Sequence, residues 1–225
     1  MLQLGKKLLD SLWFDSRSGL LTWAIWYLRK IKKKVNSKKK YLNKETISWA
    51  FYDWANSAFA TTVMAGFFPI FFKSFWAGDL SGPESSAWLG TANSISGLVI
   101  VSIAPFLGAL ADITNKKKLF LSVFAFLGII STGSFLFIAQ GMWVTAMSIY
   151  ILACIGFSGG NVFYDSLIIN VSSDENRNRV SALGYALGYL WGGFLFDLND
   201  AMYQNPEFFG LKSITDAVLY SFVSV

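Results

Sequence analysis

The chain has no histidine and a single cysteine among its 225 residues, and only 15% of those residues are charged. Without histidine there is no imidazole general base, no Ser-His-Asp triad and no usual His-ligated metal site. Cys154 lies in an apolar run and can form neither an intrachain disulfide nor a CxxC motif; filling space inside a helix is its natural use. Soluble domains carry about 25% charged residues, so the shortage argues against a water-soluble body. The charge present is also lopsided, with twelve of the 19 Lys/Arg in the first 44 residues. A terminal cluster beside apolar segments is not the basic folded face of a nucleic-acid binder. Neither a cofactor nor a metal is implied, and the composition points away from an enzyme.

What is there is a set of long charge-free runs. Nineteen residues separate Asp53 from Lys73, 27 separate Glu84 from Asp112, 46 run from Leu119 to Tyr164, and 17 run from Val180 to Phe196. At about 1.5 Å per residue, roughly 20 residues cross a hydrocarbon core about 30 Å thick. The 46-residue run is too long for one crossing and divides at Gln140-Gly141. None of these runs alternates as β-barrel strands do. The expected fold class is therefore all-α, a polytopic membrane helix bundle. Five complete spans are expected, at about 47–72, 86–111, 119–139, 142–168 and 180–196, with the start of a sixth over 213–225. Nine residues follow Asp216, about 14 Å of helix, which is not a crossing and suggests a truncated or split gene product.

Loop charges set an orientation. Lys116, Lys117 and Lys118 fall between spans two and three, and Arg177 and Arg179 between four and five. The opposite loops hold Lys73 and Lys212 against Asp79, Glu84, Asp197, Asp200 and Glu207. Basic loops stay in the cytoplasm, so the N-terminus is expected inside, in a bacterial inner membrane. Residues 1–44 read as a basic amphipathic or disordered cytoplasmic arm drawn to anionic lipid, separate from a bundle over 45–225. An over-called start codon reads equally well. The apolar stretch Gly19–Leu28 is too short to span, and it lacks the cleavage site of a signal peptide.

The first span places Asp53, Asn56, Ser57, Ala60, Thr61 and Met64 on one small, polar stripe at helical spacing. Phe59, Val63, Phe67 and Phe71 make the other face. An ionisable group at this depth is costly in hydrocarbon and should face a water-filled cavity or a cation; the plainer reading is a carboxylate anchored near the headgroups. Span four ends with Asn161 and Asp165, an i, i+4 pair on one face. Asp165 is placed to meet Arg177, Arg179 or the lysine loop, or simply the interface. Asn93, Ser94, Ser96 and Gly97 in span two form a polar patch that could face the same cavity. The candidate ion or substrate pathway is thus Asp53, Asn56, Ser57, Asn93, Asn161 and Asp165. Gly184, Gly188 and Gly192, with adjacent Gly193, make a line where another helix backbone can come close, and Gly156, Gly159 and Gly160 allow close packing on span four.

The loop Gly108-Ala-Leu-Ala-Asp112-Ile-Thr-Asn115-Lys116-Lys117-Lys118 resembles the signature G-x-L-a-D-R-x-G-R-[RK] of the major facilitator superfamily. Gly108, Leu110, Asp112, Lys116 and Lys117 match, while Ile113 replaces an arginine and Asn115 a glycine. Three longer strings, over Ser48–Lys73, Leu89–Asp112 and Arg179–Gly193, are similar to the vacuole-effluxer-like branch, also called the unknown major facilitator family. The resemblance covers about Thr46–Val225. It implies the N-terminal six-helix half of a two-bundle transporter, working by alternating access, with Gly108, Asp112, Lys116 and Lys117 at a cytoplasmic gate. Amino-acid efflux is a known activity of fungal members. The fifth span also follows the antiporter pattern G-x-x-x-G-P-x-x-G-G, with Tyr189 in place of proline, which hints at proton antiport.

The expected function is a secondary active transporter, or half of one, moving a small polar solute, amino acids being one class. The alternative is a non-transporting fragment, or a half-transporter that acts only with a partner chain carrying the C-terminal half. Lipid and a small-molecule substrate are the other expected partners; nucleic acid is not. An intramembrane protease is a distant third reading.

Overall fold

The computed structural model describes residues 26–29 and 42–225, which fall into two units divided between Asn43 and Lys44. Residues 26–29 are helical and exposed. The rest of the arm expected over residues 1–44, as far as residue 41, lies outside the described residues.

Every regular element among the described residues is a helix. In the 44–225 unit the order is α1 (Lys44–Trp76), α2 (Gly82–Thr114), α3 (Lys117–Phe137), α4 (Trp143–Val171) and α5 (Arg177–Gln204). A short 3-10 turn, Pro206–Phe209, leads to α6 (Ile214–Val223). The helices start and stop for local reasons. Ser81 and Glu84 close a reciprocal capping box at the start of α2, with Pro83 in the first turn where no N–H is missed. The 46-residue apolar run is interrupted, with α3 ending at Phe137 and Gly141 at φ +81° before α4 begins at Trp143. That left-handed backbone suits glycine. The Gly141 amide also donates to Phe75 O at 3.2 Å, and Trp76 Nε1 donates to Ile138 O at 3.2 Å, so this turn is bound to the end of α1.

The main pairings are α3 with α4, α1 with α5, and α2 with α4. Glycine sets the first. A Cβ on Gly156 would lie 2.5 Å from the Gly128 amide nitrogen, so α3 and α4 touch backbone to backbone. The largest apolar cluster gathers Phe68, Phe72 and Trp76 of α1, Phe135 of α3, Tyr150 of α4 and Phe222 of α6. Phe68 stacks on Tyr150 with centroids 4.0 Å apart, one of many aromatic contacts worth about 0.5–1.5 kcal/mol each beyond burial. Cys154 is buried within this cluster. So are Phe59, Val63, Phe67 and Phe71, the apolar face of α1, which packs on helices.

Four described helices, α1 to α4, are long and apolar enough to cross a membrane. The chain is thus a membrane helix bundle in which α2 carries Leu98, Val101 and Phe106 on its outside, exposed at 68%, 73% and 77%. A surface of this kind suits acyl chains. The fifth expected span differs from the sequence reading in one respect. Its helix forms and runs on to Gln204, beyond Phe196, but it is not among the four. Its glycines, tyrosines and the acidic Asp197 and Asp200 dilute its hydropathy; Gly184, Gly188 and Gly192 are buried, while Tyr185, Tyr189 and Asp197 are exposed. The sixth element, α6, has 10 residues.

Candidate functional site

A cleft of about 530 Å³ opens between α1, α4 and α5. Its α1 wall is the small, polar stripe: Asp53, Asn56, Ser57, Ala60 and Thr61 all line it. Met64, the sixth member of the expected stripe, packs instead against the apolar cluster. The reason is local. From Phe59 to Phe67 the helix is π-wound, with Phe68 N–H donating five residues back to Val63 O and Pro69, which has no N–H, following. Wider turns shift the register, so a stripe extrapolated at α-helical spacing drifts off the cleft.

From α4 come Asn161, Tyr164 and Asp165. Asn56 Nδ2 donates to Asn161 Oδ1 at 2.8 Å, joining the two helices across the cleft floor. Asp53 is half-buried and Asp165 lies at the exposed rim. Neither carboxylate has an ion-pair partner among the described residues. The contact considered for Asp165 with Arg177 is not made, because that guanidinium turns to Asp174, three residues back on its own loop. None of the described residues lining the cleft is a lysine or arginine.

The third wall is α5, which approaches through its glycines. A Cβ at Gly184 would stand 2.8 Å from the Trp49 ring and 3.2 Å from Asp53 Oδ2; one at Gly188 would stand 2.5 Å from Ser57 Oγ. At Gly192 the neighbour is Thr61, whose hydroxyl lies 3.2–3.3 Å from the carbonyls of Ser57, Ala58 and Gly192. Gly193 points elsewhere, since a Cβ there would meet nothing within 4 Å.

Asn93 is not brought to the cleft. It accepts a 3.0 Å hydrogen bond from Tyr150 Oη and so ties α2 to α4. Across the α2–α3 connection, Lys117 Nζ at the start of α3 pairs with Asp112 Oδ1 near the end of α2 at 2.7 Å, while Gly108 faces open space. Asn115 ends α2 at φ 54°, ψ 32°. This left-handed conformation is one that asparagine tolerates nearly as well as glycine, so its presence at a position where the signature has glycine is physically consistent.

Aromatic residues are what reading by polarity overlooked. Trp49, Tyr164, Tyr185 and Tyr189 all line the cleft. Trp49 stacks on Tyr164 with centroids 4.3 Å apart and donates its indole N–H to Tyr164 O at 3.0 Å. Tyr52 also stacks on the Tyr164 ring, with centroids 5.1 Å apart. Their signal was present: Tyr164 directly precedes Asp165, and Tyr185 and Tyr189 are an i, i+4 pair beside Gly184 and Gly188.

Comparison with known proteins gives three findings. Residues 83–182 match the family described as vacuole effluxer Atg22 like. The chain is 38% identical over 164 residues to YxiO, an uncharacterized MFS-type transporter of Bacillus subtilis (strain 168), covering 72% of this chain and 38% of that protein. It is 26% identical over 176 residues to an uncharacterized protein of Aquifex aeolicus (strain VF5), covering 78% of this chain and 43% of that one. The chain thus spans less than half the length of these curated relatives, and no solved structure matches it. With the Gly108–Lys118 motif, the apolar helices and these matches together, the chain is a major-facilitator transporter-like protein, its residues 83–182 matching the vacuole effluxer family.

Proposed function

We propose that the chain acts within a secondary active transporter that carries a small polar solute across a membrane by alternating access. It would supply the N-terminal helix bundle and one wall of the substrate path. The single observation that supports this most is the polar cleft at the α1–α4–α5 junction, with Asp53 and Asp165 in a helix bundle whose outer surface is apolar. A carboxylate at membrane depth is expensive unless it serves an ion or a solute, which favours a pathway over a structural role.

In this reading Asp53 is the ion- or substrate-coupled carboxylate. Asn56, Ser57 and Asn161 orient the solute, Asp165 guards the rim, and Gly184, Gly188 and Gly192 let α5 move against α1 without bulky side chains between them. Asn93 acts at a distance, holding α2 to α4. Gly108, Asp112, Lys116 and Lys117 brace the gate on the cytoplasmic side of a bacterial inner membrane, with the N-terminus inside.

The test is transport by a full-length relative reconstituted in vesicles. Replacement of its aspartate equivalent to Asp53 by asparagine removes the charge and keeps the shape, so uptake should fall to background at unchanged expression. Unaltered uptake with an unaltered pH profile would take Asp53 out of the mechanism.

A further inference from the structure

The cleft also carries information about the charge of its solute. Its lining holds two carboxylates and no lysine or arginine among the described residues. The Tyr164 hydroxyl, on a residue only 5% exposed, is fully buried and has no hydrogen-bond partner among the described residues. A buried hydroxyl left unpaired typically costs about 1–3 kcal/mol, so its persistence beside an open cleft points to a partner that arrives from outside. The exposed rings of Tyr185 and Tyr189 on α5 add π faces to the cleft. Carboxylates, a hydroxyl lone pair and aromatic faces all attract one kind of group, a cation that donates hydrogen bonds. At about 530 Å³ the space is that of a small organic solute rather than a bare ion.

We infer that the cleft between Asp53, Tyr164 and Asp165 is a binding site for an organic ammonium group, and that it favours amines over zwitterionic amino acids. This rests on the transport reading of the same cleft and narrows its solute. An ammonium can donate to the Asp53 carboxylate and, by displacing the side chains that cover it, to the Tyr164 hydroxyl, while its alkyl part lies along Tyr185 and Tyr189. A zwitterion would bring a carboxylate into a wall that offers it no positive charge and two like charges.

The experiment is saturable binding to the full chain in lipid nanodiscs, read by tryptophan fluorescence, since Trp49 lines the cleft. Three probes, each carrying a four-carbon alkyl group, are compared at neutral pH: n-butylamine, leucine and pentanoate. Butylamine should bind about tenfold or more tightly than leucine, and pentanoate should not saturate. Asp53→Asn should weaken butylamine about tenfold. Tyr164→Phe keeps the stacked ring and removes the unpaired hydroxyl, so it should weaken butylamine severalfold while the thermal midpoint of the unliganded chain holds or rises, which keeps the idea testable if Asp53→Asn folds poorly. Leucine binding as tightly as butylamine, butylamine affinity indifferent to both variants, or no saturable binding of any probe would overturn it. Selective amine binding without amine movement by the full-length relative would leave the site standing and remove the transport reading. Leucine transport that depends on the aspartate, with no amine binding, would do the reverse.

Discussion

Glycine and alanine are close to interchangeable on an exposed helix face, but at Gly188 the missing Cβ is what lets α5 reach Ser57. A methyl-sized atom there would sit 2.5 Å from Ser57 Oγ, and Asp53 Oδ2 is the next neighbour at 3.3 Å. Gly188→Val should therefore push α5 off α1, at a cost of about 1–3 kcal/mol from overpacking, and narrow the cleft. Gly193→Ala is the matched control, because nothing lies within 4 Å of its Cβ position, so only helix propensity changes and the midpoint should hold or rise slightly. Thermal unfolding of both variants in one detergent separates them. Equal midpoints would mean that the glycine line does not set the α1–α5 approach.

At the scale of an element, α1 is held to α4 at one end and released from α-helical register in its middle. The clamp consists of Trp49 stacked on Tyr164, its indole N–H on Tyr164 O, and the Thr46 hydroxyl donating to Val171 O at 3.0 Å. Trp49→Ala removes the stack and the hydrogen bond and leaves a void, which should cost about 3–5 kcal/mol; Trp49→Phe keeps a ring and should lose less. The order of the two midpoints is the check, and an Ala variant as stable as the Phe variant would show that the ring carries no packing load. Beyond the clamp, the π-wound stretch Phe59–Phe67 turns Met64 into the apolar cluster while keeping Thr61 on the cleft.

For the whole molecule, the distribution of charge and apolar surface decides how it sits in lipid. The lysine-bearing α2–α3 loop and the Asp79–Glu84 turn lie at opposite ends of α2. The positive-inside pattern predicts that a cysteine replacing Lys118 reacts with a membrane-impermeant thiol reagent only from the cytoplasmic face, and one replacing Asp79 only from the outside. Cys154 is buried and should stay unlabelled, so no background variant is needed. Reversed labelling would invert the orientation and place the Asp112–Lys117 pair on the exterior.

Much of this was legible in the residues because it depends on solvent and local geometry alone. Uninterrupted apolar runs need lipid wherever they pack, Gly141 breaks a run that is too long for one crossing, and an i, i+4 pair such as Asn161 and Asp165 shares a face in any helix. Composition likewise excluded imidazole chemistry before any coordinate was known. Tertiary structure alone decided which faces meet. It turned Asn93 to Tyr150 and away from the cleft, and gathered Trp49, Tyr164, Tyr185 and Tyr189 around Asp53. Two other departures were local, Arg177 turning to Asp174 three residues back and Met64 leaving the stripe through the π-wound turns. Periodicity reports the face on which a side chain stands. What that face meets depends on how helices far apart in the chain pack, and no spacing along one helix encodes that.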